Sequence, residues 1–176
     1  MSISLKLSIT HAIIQTIFVL PDLWANPPWK IDPIIMLNET SLKIQIAHYI
    51  FLLYILTDTL QNYSNFKYDM WFHHILTFVG ISLSLYSGPQ YLGYYYLSNE
   101  FSTIFLHLRH YIRHKFACKL CFLLTFTVFR VGLNLYLLYW TMKYVGFGLP
   151  FMVQIIPYFI NLWWYRRILS IAFNYK

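Results

Sequence analysis

The chain has 176 residues, of which 59% are hydrophobic, 21% are aromatic and only 11% are charged. A soluble domain carries about 25% charged residues, so this chain has too little polar surface to cover a water-facing core. The net charge of +7 does not indicate a nucleic-acid partner, because the basic residues cluster at the edges of apolar runs, where they would meet lipid headgroups. The composition therefore predicts an all-α protein embedded in a membrane.

Apolar stretches near the length of a spanning helix, about 20 residues, recur along the whole chain. They cover residues 3–21, 43–63, 72–87, 91–108, 117–142 and 148–173. The sequence thus predicts a polytopic transmembrane helical bundle of about six spans. We expect the first stretch to be a retained span rather than a signal peptide, since His11 and Gln15 interrupt it and no clear cleavage site follows.

The connections between these stretches are marked by proline and glycine. Residues 22–42 contain Pro27, Pro28 and Pro33 and are predicted to form a loop or an interfacial segment, with tryptophans suited to the headgroup region. A tight turn is predicted over residues 87–90, and Pro157 is expected to kink the last span. The loop divides the chain into residues 1–42, with the first span, and residues 43–174.

Lysine and arginine lie mainly on one side of the predicted spans. The basic residues gather at the N-terminus, in the second and fourth loops and in the C-terminal tail. The positive-inside rule therefore places both termini in the cytoplasm. In this topology Asn38, which begins an Asn-Glu-Thr sequence, faces the lumen as a candidate glycosylation acceptor.

Ionisable residues inside the apolar runs are the strongest functional signal. They are Asp58, His73, His74, Glu100 and Arg130. An ionised side chain at the centre of a spanning helix costs roughly 2.5–3.5 kcal/mol, so such residues are expected to pair with one another or to line a hydrated cavity. Two interpretations remain open: charge-assisted bonds that lock the helices together, or a pocket for lipid or substrate.

Helical spacing groups the polar residues into stripes. Three sets share a helix face by steps of three, four or seven: Glu100, Thr103, His107, His110 and His114; Thr127, Arg130, Asn134 and Thr141; and His73 or His74 with Thr77. Stripes on neighbouring helices predict one polar interior. In the third set, the Thr77 hydroxyl could orient either imidazole.

Two short motifs are compatible with metal or redox chemistry, but the sequence favours neither function. The histidines at 107, 110 and 114 imitate the boxes of membrane di-iron enzymes, yet such enzymes use more histidines than this chain offers. The pair Cys118 and Cys121 lacks the second pair that a zinc site needs. We therefore predict no metal site and no bound cofactor.

Five segments, in order from about residue 44 to residue 173, resemble the TLC-domain family of translocon-associated, longevity-assurance and ceroid-lipofuscinosis proteins. They read Leu-Tyr-Ile-Leu-Thr-Asp at 53–58, His-His-Ile-Leu-Thr at 73–77, Asn-Glu-Phe-Ser-Thr-Ile-Phe-Leu-His-Leu-Arg at 99–109, Phe-Thr-Val-Phe-Arg at 126–130 and Asn-Leu-Trp at 161–163. The resemblance assigns residues 43–174 to a TLC domain. It implies a multi-pass membrane protein involved in lipid metabolism, with the endoplasmic reticulum as the expected location.

The resemblance also implies site residues, because the family includes ceramide synthases. Acyl transfer from acyl-CoA, as co-substrate, to a lipid amine would use His73 or His74 as general base or acyl acceptor. Asp58 or Glu100 would orient the imidazole, and Arg130 would offset the carboxylate charge.

One departure from the synthases supports a second function. Positions that are acidic in those enzymes are Leu92, Gly93 and Tyr96 here, and only Glu100 remains. The alternative prediction is a non-enzymatic membrane protein that senses lipid or binds cargo. In both cases membrane lipids are the expected partners.

Overall fold

A computed structural model describes residues 3–64, 68–86, 89–108, 111 and 115–173. This part of the chain is helical and contains no strand, as predicted. The helices are α1 (Ile3–Ala25), α2 (Pro33–Asn38), α3 (Leu42–Asn62), α4 (Tyr68–Tyr86), α5 (Gln90–Tyr96), α6 (Glu100–Leu108), α7 (Lys115–Thr125), α8 (Asn134–Tyr144) and α9 (Leu149–Phe173). A 3-10 turn, Leu97–Asn99, joins α5 to α6, and a π-helical segment, Phe126–Leu133, joins α7 to α8.

The prediction of a loop over residues 22–42 is wrong in part. Helix α1 continues through Pro21 to Ala25, and the short helix α2 follows. Asp32 caps α2, because its carboxylate accepts a hydrogen bond of 2.7 Å from the Ile34 amide, and Pro33 in the first turn has no N–H to leave unpaired. The capping signal in this proline-containing stretch therefore marks a helix start.

The predicted span over residues 91–108 is not one α-helix. It is divided into α5, the 3-10 turn and α6. At the break, the Ser98 hydroxyl donates a hydrogen bond of 2.7 Å to the Tyr95 carbonyl, and Tyr95 and Leu97 are buried in the core. A side chain that bonds the backbone three residues earlier competes with the regular helix, and tertiary packing holds the tighter turn in place.

The predicted span over residues 117–142 also changes its helical geometry, over a segment that includes Arg130. The helix widens into the π-helical segment and returns to α-helix at Asn134. Near its start, the hydroxyls of Thr125 and Thr127 donate to carbonyls four residues back, at 2.7 and 2.8 Å. Such bonds loosen the regular ladder, and π-helical turns occur often at functional sites.

Helix α9 runs without interruption through Pro157. Pro157 has no N–H to donate to the helix, yet the helix continues past it to Phe173. Of the turn predicted over residues 87–90, residues 87 and 88 lie outside the described residues. Pro89 immediately precedes α5, which begins at Gln90.

Two helical stretches in the described chain are long and apolar enough to cross a membrane, Lys6–Ala25 and Phe116–Tyr144. The other predicted spans do not combine the required length with the required mean hydropathy in the residues that the structure describes. The bundle of six spans therefore stays a prediction.

The helices pack around two apolar clusters and leave many large apolar side chains on the outside. Helix α1 packs against α3 and α6, and α4 packs against α9. One cluster includes Phe51 and Tyr94, and the other includes Tyr95 and Trp140. On the outer surface Leu60 is 76% exposed. An outer surface with so many exposed apolar side chains is expected of a protein that faces lipid.

Candidate functional site

A cavity of about 580 Å³ lies between α4, α5, α8 and α9. Apolar side chains such as Leu76, Ile81 and Val153 form much of its wall. Polar and ionisable groups also line it: His73, Thr77, Asn99, Glu100, Arg130, Asn134 and Asn161. A mostly apolar cavity of this size with a few convergent polar groups is the usual form of a ligand site.

The adjacent histidines point to different surroundings. Neighbours on an α-helix do not face the same way, so one imidazole reaches the cavity while the other lies against α3. His73 lines the cavity, and its ring centre is 5.3 Å from that of Trp164 on α9. His74 is buried, with its Nε2 atom 3.5 Å from Oδ2 of Asp58. The structure therefore separates two roles that the sequence left joined.

The hydrogen bonds of His74 locate its protons. The Thr59 hydroxyl donates its single proton to the Ile55 carbonyl at 2.7 Å, so Thr59 can only accept from Nδ1 of His74, at 2.8 Å. Nδ1 therefore carries a proton. Nε2 faces the Asp58 carboxylate, and two facing lone pairs would repel. The Nε2 atom and Oδ2 of Asp58, 3.5 Å apart, are therefore close enough to share a proton.

Arg130 is held by three side chains of α6. Its Nε donates to the Ser102 hydroxyl at 2.9 Å, and its Nη2 donates to the Thr103 hydroxyl at 3.0 Å. The same Nη2 is 3.8 Å from a carboxylate oxygen of Glu100. Arginine cannot shed its proton, so this buried pairing compensates a charge that could not otherwise remain in an apolar interior. The structure thus pairs Arg130 with Glu100, while Asp58 lies beside His74.

Three asparagines of the cavity wall have side-chain carbonyl oxygens that are buried in the protein. Asn99, Asn134 and Asn161 line the cavity, and within the described part of the chain their Oδ1 atoms are buried without a hydrogen-bond partner. A buried acceptor without a partner is costly, at about 1–3 kcal/mol.

Only part of the predicted polar stripes meets at this site. In the first stripe, Glu100 and Thr103 face Arg130, whereas His110 and His114 lie outside the described residues. In the second stripe, Thr127 points elsewhere: its own proton goes to the Leu123 carbonyl, so its hydroxyl can only accept from the Tyr165 hydroxyl, 3.2 Å away. The π-helical segment changes the spacing of the helix faces.

Sequence reasoning missed Thr59 and Ser102. Thr59, not Thr77, binds His74, although Thr77 lines the cavity near His73. The signal for Ser102 was present, since it stands in the Glu-Phe-Ser-Thr segment beside Glu100. For Thr59 the position next to Asp58 was the one available signal.

Among the described residues, no group of three or more His, Cys, Asp or Glu side chains could hold a metal ion.

The helical fold, the apolar exterior and the polar groups inside it define a membrane protein with a buried site. The chain belongs to the TLC-domain family, since the TLC domain model matches residues 6–173. The match includes α1 as well as the five segments that resemble the family. Neither a curated protein nor a solved structure matches the chain.

Proposed function

We propose that this TLC-domain protein binds a membrane lipid in the cavity and takes part in lipid metabolism by acyl transfer to a lipid amine. The observation that carries the proposal is the cavity itself, which combines apolar walls with His73, Glu100 and Arg130. An acyl chain would occupy the apolar part, and the reacting groups would meet at the polar end. The proposal includes about six spans with cytoplasmic termini and a location in the endoplasmic reticulum.

In this mechanism His73 is the group that meets the substrate. It lines the cavity, and a neutral imidazole is suited to act as general base or acyl acceptor near neutral pH. His74 and the Asp58 carboxylate, which lies 3.5 Å from its Nε2 atom, would set the charge beside it. A carboxylate that fixes an imidazole and its protonation is a recurrent supporting arrangement in nucleophilic catalysis.

Glu100 and Arg130 would orient the polar end of the substrates. The Glu100 carboxylate lines the cavity and can attract an ammonium group, while the Arg130 guanidinium can bind a carbonyl or phosphate oxygen. Because Ser102 and Thr103 fix the guanidinium, it would not need to reorganise as negative charge develops on the thioester oxygen.

The experiment is acyl transfer by purified protein in lipid nanodiscs, supplied with a long-chain acyl-CoA and a long-chain amine. We expect amide product from the wild type and loss of product from His73→Ala and His74→Ala. Ile75→Ala is the matched control, because Ile75 is the next residue of α4 and is 54% exposed. Equal product from wild type and both histidine variants would remove the catalytic role.

A second candidate function is non-enzymatic lipid sensing or cargo binding. It is favoured by one observation: Leu92, Gly93 and Tyr96, which replace acidic residues of the synthases, lie on the cavity wall. The cavity would then hold lipid without supplying those carboxylates. This function predicts lipid binding that survives the double change His73→Ala/His74→Ala, with no turnover in the wild type. A histidine-dependent lipid product would contradict it.

A further inference from the structure

A row of hydrogen-bonded side chains joins three helices. The Ser8 hydroxyl of α1 is 3.0 Å from the Tyr54 hydroxyl of α3 and 2.8 Å from Nε2 of His107 on α6. Ser8 is buried, and the three residues are far apart in the sequence. Each of these groups can either donate or accept a hydrogen bond, so the direction of the bonds can reverse.

One end of the row approaches the pair formed by Asp58 and His74. Tyr54 and Asp58 are four residues apart on α3, so they occupy the same helix face one turn apart. Side chains in this relation are neighbours on the helix surface. The step between the Tyr54 hydroxyl and the Asp58 carboxylate is assigned to a bridging water molecule, as part of the proposal below. Asp58 in turn lies 3.5 Å from Nε2 of His74.

The other end of the row reaches the edge of the bundle. His107 is in the last turn of α6, is only partly buried, and stands directly before the basic stretch of residues 109–115. Basic residues of this kind mark the cytoplasmic edge of a membrane. The order of groups from the edge inward is therefore His107, Ser8, Tyr54, Asp58 and His74.

We propose that this row carries protons between the Asp58–His74 pair and the aqueous edge. A proton enters or leaves at His107, and each hydroxyl accepts one proton on one side while it donates its own on the other. No group in the middle of the row has to hold a net charge. The inference rests on the proposed function, because the proton that the row would carry comes from the proposed acyl transfer.

Acyl transfer supplies that proton. A lipid amine is an ammonium ion at neutral pH, with three N–H bonds, and the amide product keeps one. As the new C–N bond forms and the C–S bond of the acyl-CoA breaks, one of the two released protons protonates the thiolate. The second proton is left over in each turnover. Because the cavity walls are apolar, a conducting row of polar groups would let it leave.

The same hydrogen bonds could instead serve only to attach α1 to α3 and α6. Removing one hydroxyl would then lower stability without changing how fast His74 exchanges protons with water. Tyr54→Phe tests this difference with little disturbance, since it keeps the ring that stacks on His11 with ring centres 3.8 Å apart. Tyr49→Phe is the matched control, because Tyr49 is on the same helix and is 61% exposed.

The measurement is proton exchange at the His74 ring, followed by NMR of the full chain in nanodiscs with 15N-labelled histidine. The His74 signal is assigned by its loss in His74→Gln. We expect Tyr54→Phe to slow the exchange by about 10²-fold, the lower end of what one positioned proton-transfer group contributes, and Tyr49→Phe to leave it unchanged. Ser8→Ala should slow it similarly. Unchanged exchange in Tyr54→Phe and Ser8→Ala would overturn the proposal.

This readout is independent of turnover. If the wild type forms no amide but the variants exchange the His74 proton slowly, the row is supported and acyl transfer is refuted. If the wild type is active, Tyr54→Phe should lower kcat more than it changes KM, and added imidazole should restore part of the rate by carrying protons itself. An active Tyr54→Phe protein with unchanged exchange would refute the row and leave acyl transfer standing.

Discussion

Removal of Arg130 should destabilise the protein more than any other single change at the site. Arg130→Ala deletes two hydrogen bonds to hydroxyls on α6 and the charge that faces Glu100 at 3.8 Å. Breaking a buried charge pair from one side costs about 3–5 kcal/mol, because the remaining carboxylate loses its compensation. At about 2–4 °C per kcal/mol for a chain of this size, the midpoint of thermal unfolding should fall on the order of 10 °C.

Tryptophan fluorescence during heating in detergent measures this midpoint. Arg166→Ala is the matched control, since Arg166 is an exposed arginine of α9, and it should leave the midpoint nearly unchanged. Adding Glu100→Gln to Arg130→Ala should recover part of the loss, because the amide needs no counter-charge. An Arg130→Ala protein as stable as the wild type, or a double variant less stable than the single one, would refute the reasoning.

Two further changes test the packing and hydrogen bonding around the site by the same unfolding measurement. Gly93→Ala should destabilise by about 1–3 kcal/mol, because its new Cβ would overlap the Ser84 hydroxyl, whereas Gly132→Ala meets ordinary van der Waals contact at 3.5 Å and should be tolerated. A tolerated Gly93→Ala would show that α5 can move away from α4. Thr59→Val should cost about 1–3 kcal/mol, since it removes the hydroxyl that accepts a hydrogen bond from the buried Nδ1 of His74. Equal stability of Thr59→Val would contradict the tautomer assigned to His74.

The sequence predicted which ionisable residues are buried between the helices better than it predicted their partners. Asp58, His74, Glu100 and Arg130 were found from their apolar surroundings alone, because burial of ionisable groups is costly wherever the helices pack. Which of these residues pair, Asp58 with His74 and Glu100 with Arg130, depends on the rotation of each helix about its axis. A single sequence does not specify that rotation, so Thr59 could not be preferred to Thr77.

The positions of the helix breaks were also beyond the sequence. Residues 97–99 and the π-helical segment are continuous with apolar, helix-compatible sequence, and their geometry depends on contacts with other helices. For the same reason, the sequence did not predict that α1 supplies a residue, Ser8, to the row of hydrogen-bonded side chains. Ser8 is an ordinary serine in an apolar stretch, and only the packing of α1 against α3 and α6 brings it to Tyr54 and His107.

In the proposed function, the cavity holds the chain of a lipid with its polar end at His73. The most direct test is photo-crosslinking of a long-chain amine, with a photoreactive group in its chain, to the protein in nanodiscs. We predict crosslinks to the α4 and α9 residues of the wall, and their loss in Val153→Trp, which fills the cavity. Val79→Trp, on the exposed side of α4, should keep them. Equal crosslinking of the cavity wall in wild type and Val153→Trp would contradict the account.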